Sequence, residues 1–383
     1  MTTSPHLLIV GASARAAAFS ALRAGLQPWC VDLFADVDLQ QRCAVTRLTG
    51  RYPDDFRPFI ESDRPGPWMY TGGVENWPRF VERSADHRLL WGNAAASLCF
   101  ARNPEYLSEL LQLVAMPVPA RVPIHERVKG GRYLIKPRKG AGGAGIRFGT
   151  AKDGGVKKSV AYCQEFIEGE SLALVFLGDR RQSHLLGITR QLVGMDWLHA
   201  APFRYCGSIG PLDPGIIRRP AVQELGDLLA RGCLLNGLFG VDGILRDGTF
   251  WPVEINPRYT ASVEVLEYAS GLSALSWHAH VFTDGTLPPA GAPAAPLDRC
   301  IGKAILFARD DLTFPANGPW RAQLRSPASI HELPAFADIP AAGEHIAMGR
   351  PIITFFATAG SVSACEDALR QIAVDLDRWL FER

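Results

Sequence analysis

The stretch GLFGVDGILRDGTFWPVEINPRYTASVEVLE, residues 237 to 267, narrows the fold more than any other part of the chain. Two apolar runs flank Arg246-Asp247-Gly248, the pattern of a β-hairpin. A three-residue loop with glycine in its last, left-handed position would pair Leu245 with Thr249 and Asp242 with Pro252. Asp242, Glu254 and Asn256 then share one face, whereas a two-residue loop would send Asp242 to the other. Two carboxylates and an amide on so apolar a hairpin are poor core residues unless a cation sits among them. Oxygen ligands without His or Cys select Mg2+ or Mn2+, which keep waters and take further ligands from phosphates. Arg258 keeps the parity of Asn256 and can hold a phosphoryl oxygen.

A second stretch, YLIKPRKGAGGAGI (133–146), begins as a strand and becomes a glycine-rich loop. Alternation puts Tyr133 and Ile135 on one face and Leu134 and Lys136 on the other, so Lys136 is expected to point into a cleft. No GK[ST] follows, which excludes a Walker A loop. Gly142 and Gly143, with Gly140 and Gly145, instead make a flap whose N–H groups can close over phosphates. Further on, VAYCQEFIEGESLALVFL reads as strand, turn and strand. In that turn the backbone of Gln164 and Glu165 can meet the edge of adenine, and Phe166 and Ile167 supply apolar walls.

The N-terminal HLLIVGASARAAAFSALRAG followed by PWCVDLF is a strand, a Gly/Ser turn, an alanine-rich helix and a second strand, hence a Rossmann-like βαβ opening. Asp32 lies where a dinucleotide fold holds a ribose hydroxyl. GASARA lacks the second and third glycines of GxGxxG, however, so a dehydrogenase is a rival reading rather than the favoured one. WMYTGGVENWP (68–78) looks like another strand end whose turn, with Glu75, could face the same cleft.

Lys plus Arg total 40 against 39 Asp plus Glu, so no global field favours nucleic acid or an acidic membrane. The eight cysteines show no paired spacing, and no apolar stretch is long enough to span a bilayer; a reduced, cytoplasmic protein is expected. Breaks at PVPARVPIHERVKGG (117–131) and LPPAGAPAAPL (287–297), with a weaker one near 177, divide the chain. The expected units are an N-terminal domain (1–116), a small lobe with flap and hinge (117–177), a large lobe with the acidic hairpin (178–290) and a closing subdomain (291–383).

In this order, the strand-lysine and flap, the QEFIEG hinge and the VDGIL…VEINPR hairpin resemble the ATP-grasp superfamily. The resemblance implies a fold that is α/β and α+β, a Rossmann-like N-terminal domain before a two-lobed ATP-grasp unit. It also implies ATP with Mg2+ or Mn2+, and chemistry joining a small-molecule carboxylate to an amine through an acyl phosphate. Lys136 would bind the α/β-phosphates, Gln164 to Ile167 the adenine, and Asp242, Glu254 and Asn256 the metal. Arg258 would steady the transferred phosphoryl group. The family's earlier nucleotide lysine is absent and Arg102 is its nearby stand-in; at the ribose acid position stands Ser171, beside Glu170. Arg190, Tyr259 and Glu264 are candidates for holding a substrate.

More narrowly, NPRYTASVEVLE and IPAAGEHIAMGRPIITFFATAG, with the N-terminal turn, resemble a subgroup associated with methylofuran- and tetrahydromethanopterin-linked one-carbon metabolism, which includes a tyramine–glutamate ligase. The alternatives are an ATP-binding protein without turnover, and an ATP-grasp carboxylase or acyl-CoA synthetase. The C-terminal segment is expected to close the fold or form a homodimer contact.

Overall fold

A computed structural model describes residues 5–122, 132–150, 157, 159–218, 220–289 and 299–382. The linker stretches at 123–131 and 290–298 lie outside the described residues.

A parallel sheet of β1 (His6–Val10), β2 (Gln27–Asp32), β3 (Ala44–Arg47) and β4 (Trp68–Tyr70), in the order β3-β2-β1-β4, forms the N-terminal unit. Four short strands make a small sheet, β5 (Arg121–Val122), β6 (Tyr133–Pro137), β7 (Arg147–Phe148) and β8 (Ala161–Glu165), ordered β5-β8-β6-β7. The large sheet has eight strands. They are β9 (Glu170–Asp179), β10 (Ser183–Val193), β11 (Tyr205–Gly210), β12 (Asn236–Arg246), β13 (Thr249–Asn256), β14 (Cys300–Phe307), β16 (Phe336–Ala337) and β18 (Pro351–Ala359), ordered β13-β12-β9-β10-β11-β14-β18-β16. A ribbon of β15 (Leu312–Thr313) and β17 (His345–Ile346) lies outside it.

Two boundaries differ from the sequence expectation. Strand β9, assigned up to residue 177 to the small lobe, pairs along its whole length with β12 and β10 and is a central strand of the large sheet. An apolar run cannot by itself say which of two sheets it joins, because burial on both faces suits either. The segment 291–383 does not stand apart: β14 pairs with β11, and β18 and β16 carry the same sheet onward.

Leu172 to Leu177 are at most 2% exposed, and their alternation explains the layering. Leu174 and Phe176 pack towards the helix α3 (Val222–Gly232). Val175 and Leu177 face α4 (Ala261–Ser270), α5 (Ala274–Asp284) and the N-terminal helix α1 (Arg15–Arg23) in one shared core. Ala17, Ala18 and Ala21 let α1 approach closely. The N-terminal unit is thereby fixed to the large sheet by apolar burial, each large side chain contributing about 1.5–3 kcal/mol.

A buried ion cluster crosses the same junction. Fully buried Arg15 donates twice to Glu264 of α4, once at 2.9 Å, and to Asp338 at 2.9 and 3.2 Å; Lys303 of β14 donates to Glu264 at 2.7 Å. Glu264 is thus an interior ion-pair residue, against the expectation that it holds substrate. Burial would raise its pKa, but Arg15 and Lys303 outweigh burial and hold it at about 2.

His278 of α5 locks another part of this junction: Nδ1 accepts from the Leu238 N–H at 3.0 Å, and Nε2 lies 3.0 Å from the Trp91 carbonyl, to which it donates in the neutral form. Burial lowers its pKa to about 4. A histidine whose pKa falls on folding stabilises fully above its unfolded value of about 6.5 and loses that contribution as pH falls towards 4, roughly 3 kcal/mol in all. Urea unfolding from pH 7.5 to 4 should show this as the difference between wild type and His278→Asn. Parallel pH profiles would mean that His278 does not titrate on unfolding.

Candidate functional site

The acidic hairpin forms, but not by the expected route. Its loop has two residues, Asp247 and Gly248, both with positive φ (52° and 76°), and Arg246 pairs with Thr249. That register alone would place Asp242 and Glu254 on opposite faces. A β-bulge at Val253 restores them: Gly243 pairs with Pro252, and Asp242 with Glu254. The sequence reading thus reached the right face from the wrong loop. The bulge also turns the Val253 carbonyl towards the cleft, where Lys136 Nζ donates to it at 3.3 Å.

Asn256 Nδ2 donates to Asp242 Oδ2 at 2.7 Å, and Gln191 Nε2 to Asp242 Oδ1 at 3.0 Å. Glu254 is paired with Arg102. Burial, then the Glu254 charge, pushes the Asp242 pKa up to about 7. On Glu254 burial acts upward too, but Arg102 and Lys136 outweigh it and keep the carboxyl below its ordinary range. Among the described residues no three His, Cys, Asp or Glu side chains gather as a complete metal cage. Two carboxylates and the Asn256 amide oxygen suit a hard cation that takes its other ligands from water and phosphate, which fits Mg2+ better than a closed metal centre.

Facing the hairpin across the cleft, Lys136 Nζ also donates to Gln164 Oε1 at 3.2 Å. Tyr133 and Ile135 pack into the small-sheet core, as alternation required. A cavity of about 580 Å3 runs between the two sheets. Lys136, Gly142, Gly143, Gln164 to Ile167, Ser171, Asp242, Glu254, Asn256 and Arg258 all line it. Phe148 meets Phe166 and Phe203 edge-on, with centroids 5.1 and 5.3 Å apart, and completes an apolar wall.

The flap is tied down at two points. Arg102 Nη2 and Asn76 Nδ2 each donate to the Gly140 carbonyl at 3.1 Å, and Tyr205 N–H donates to the Gly142 carbonyl at 3.1 Å. Gly143 has φ +77°, and a Cβ there would sit 1.8 Å from the Phe203 carbonyl, so only glycine allows this closure. Lys139 lies 3.9 Å over the Trp77 ring and Arg138 pairs with Glu105, which makes both seals rather than cleft groups.

Three candidates fall away. Arg190 pairs with Glu170 (3.2 Å) and Glu366 (2.9 Å) and does not line the cavity; its neighbour Gln191 does, because adjacent strand residues face opposite ways. Asp32 is fully buried and accepts from the N–H groups of Ala14, Phe34 and Ala35 at 3.0, 3.2 and 2.7 Å, so it braces two turns instead of awaiting a ribose. Tyr259 is buried, its hydroxyl 3.3 Å from the Ala16 carbonyl.

The sequence reading missed Gln191 and the hydroxyl chain Tyr205–Ser208–Ser262–Thr189, with links of 2.9, 3.2 and 2.9 Å. Strand parity was the available signal for Gln191. Glu75 does not reach the cavity itself but holds Arg258, whose Nε donates to it at 2.8 Å.

If the Gly143 contact holds the flap shut, Gly143→Ala should speed trypsin cleavage after Lys139 and Arg147 several-fold. Gly142→Ala, whose Cβ meets nothing within 4 Å, should change it less. Equal rates would rule out the contact as the fastener.

Residues 105–262 match the family model described as an ATP-grasp domain. No curated protein sequence matches the chain. Among solved structures, the L-amino acid ligase from Bacillus licheniformis superposes with a TM-score of 0.69 at 18% identity, covering 98% of this chain and 98% of that one. The biotin carboxylase domain of Hydrogenobacter thermophilus 2-oxoglutarate carboxylase, solved with MgADP, ADP and bicarbonate, gives 0.70 at 14% identity, covering 95% and 88%. N5-carboxyaminoimidazole synthase from Aspergillus clavatus, in complex with ADP and 5-aminoimidazole ribonucleotide, gives 0.66 at 15% identity, covering 98% and 99%. The chain carries an ATP-grasp domain and has the ATP-grasp fold.

Proposed function

We propose that the protein is an ATP- and Mg2+-dependent carboxylate–amine ligase. The observation that carries this reading is the convergence, in one cavity, of Lys136, a glycine flap, the Gln164–Ile167 hinge and the Asp242/Glu254/Asn256 face. Gln164 to Ile167 would hold the adenine of ATP, and the N–H groups of Gly142 and Gly143 would meet its phosphates. Asp242, Glu254 and Asn256 would hold Mg2+, which would supply neutralisation of phosphate charge. Lys136 takes the α/β-phosphate oxygens; Arg102 and Ser171 stand at the positions of the missing lysine and the ribose acid.

The substrate carboxylate takes the γ-phosphoryl group, giving an acyl phosphate and ADP. The amine nitrogen then attacks the acyl carbon, the C–O bond to phosphate breaks, and the amide nitrogen loses its proton. Arg258, positioned by Glu75, Tyr259 carbonyl and Asn256, steadies the transferred group. The closed flap keeps water from the acyl phosphate. Catalysis of this kind needs positioning and fixed charge, with no covalent enzyme intermediate.

Glutamate is the first carboxylate to test, since the narrower resemblance points to one-carbon cofactor biosynthesis. ADP formation should require ATP, Mg2+, a carboxylate and an amine together, with product mass confirming the amide. Lys136→Ala and Glu254→Ala should each lower it at least about 100-fold, while Arg190→Ala should leave it within a few-fold. Turnover that persists in both cleft variants sinks the site assignment. ADP formation that depends on bicarbonate instead of a carboxylate–amine pair sinks the reaction class.

A further inference from the structure

A second cavity, of about 370 Å3, opens on the far side of the Arg15 cluster, between the carboxyl ends of β1 and β2 and the strand β18 with its preceding turns. It shares no lining residue with the cleft: Asp338 of the cluster lines this cavity, whereas Ser262, two residues before Glu264, lines the cleft. Phe34, Ile305, Ile346 and Ile353 supply apolar walls and Asp36 and Asp338 an acidic side, and Arg47, Glu344, His345 and Arg350 also line it.

Asp338 is engaged by Arg15 and Thr354. Asp36 is different. It is 5% exposed, and among the described residues its carboxylate accepts no hydrogen bond and forms no ion pair, even though it stands at the start of the short helix α2 (Val37–Gln40). Burial, then Asp338, Asp38 and Asp32, holds its pKa well above the usual carboxylate range. A buried, unpartnered carboxyl among three others is costly unless something compensates it. The basic groups of the lining do not: Arg47 is taken by Glu344, and His345 and Arg350 are exposed.

We propose that this cavity is a second ligand site, separate from the cleft, that takes an organic cation, an ammonium group on a compact apolar body. The ammonium pairs with Asp36 and the body fills the apolar walls. The volume is within the range of small-molecule sites, and few other ligand chemistries would satisfy both surfaces.

Three probes of one shape separate the contributions: cyclohexylamine, cyclohexanol and cyclohexanecarboxylate, titrated by calorimetry and followed by thermal unfolding. The amine should bind and raise Tm; the alcohol and the acid should not. Asp36→Asn should weaken amine binding at least about tenfold, or 1.4 kcal/mol, and should melt no lower than wild type when empty, because no hydrogen bond or ion pair of the carboxyl is lost. Ile305→Phe, which fills the cavity from the opposite wall, should lose binding by bulk alone. MgADP affinity should be unchanged in both variants, so the outcome is independent of the ligase reading. The proposal is overturned by an absent amine effect in wild type, by an equal effect in Asp36→Asn or with the alcohol, or by an Asp36→Asn protein that melts well below wild type.

Discussion

The pairing of Arg15 with Glu264 is the contact on which the rest of the arrangement depends. It joins the first helix of the chain to α4, which begins five residues after Asn256, and Lys303 and Asp338 attach the last strands to the same point. A guanidinium removed from water is tolerated only with its hydrogen bonds answered, and here both faces of the fork are. Such a cluster adds little net stability relative to apolar packing, yet it admits one geometry. The N-terminal unit, the acidic hairpin and the C-terminal strands are therefore held in a single relative placement, which a cleft built from all three requires.

Much of the cleft was legible because its chemistry is written locally. Lys136 and Leu134 face the cavity by simple alternation, and the hinge aromatic follows a strand end that periodicity marks. What failed were inferences needing knowledge of partners far away in sequence. Arg190 looked free until Glu170 and Glu366 came beside it, and Asp32 resembled a ribose acid until the backbone of its own turns claimed it. Glu264 read as a candidate for holding substrate because the groups that pair with it are remote in the chain; they lie 249 residues before it and 39 after it. Strand β9 was misplaced for a related reason: a strand buried on both faces carries no mark of the sheet it enters.

The flap shows how one segment can report on both halves of the molecule. Its first glycine is held from the N-terminal side by Arg102 and Asn76, and its second from the large sheet by Tyr205. Arg102 also grips Glu254, so the same guanidinium touches the lid and the acidic face. A guanidinium can bridge the two in this way, which a point charge on a single ammonium does less well.

The two irregularities of the hairpin, the short turn and the bulge at Val253, stand to each other as a frameshift and its suppressor. Each alone inverts the phase of β13 and would turn Glu254 and Asn256 away from Asp242; together they return the reading frame of side chains to its start. Selection on this element acts on the sum of the two and not on either. A homologous hairpin with one more loop residue and no bulge would present the same acids, so the length of this turn can drift while the site it serves stays in phase.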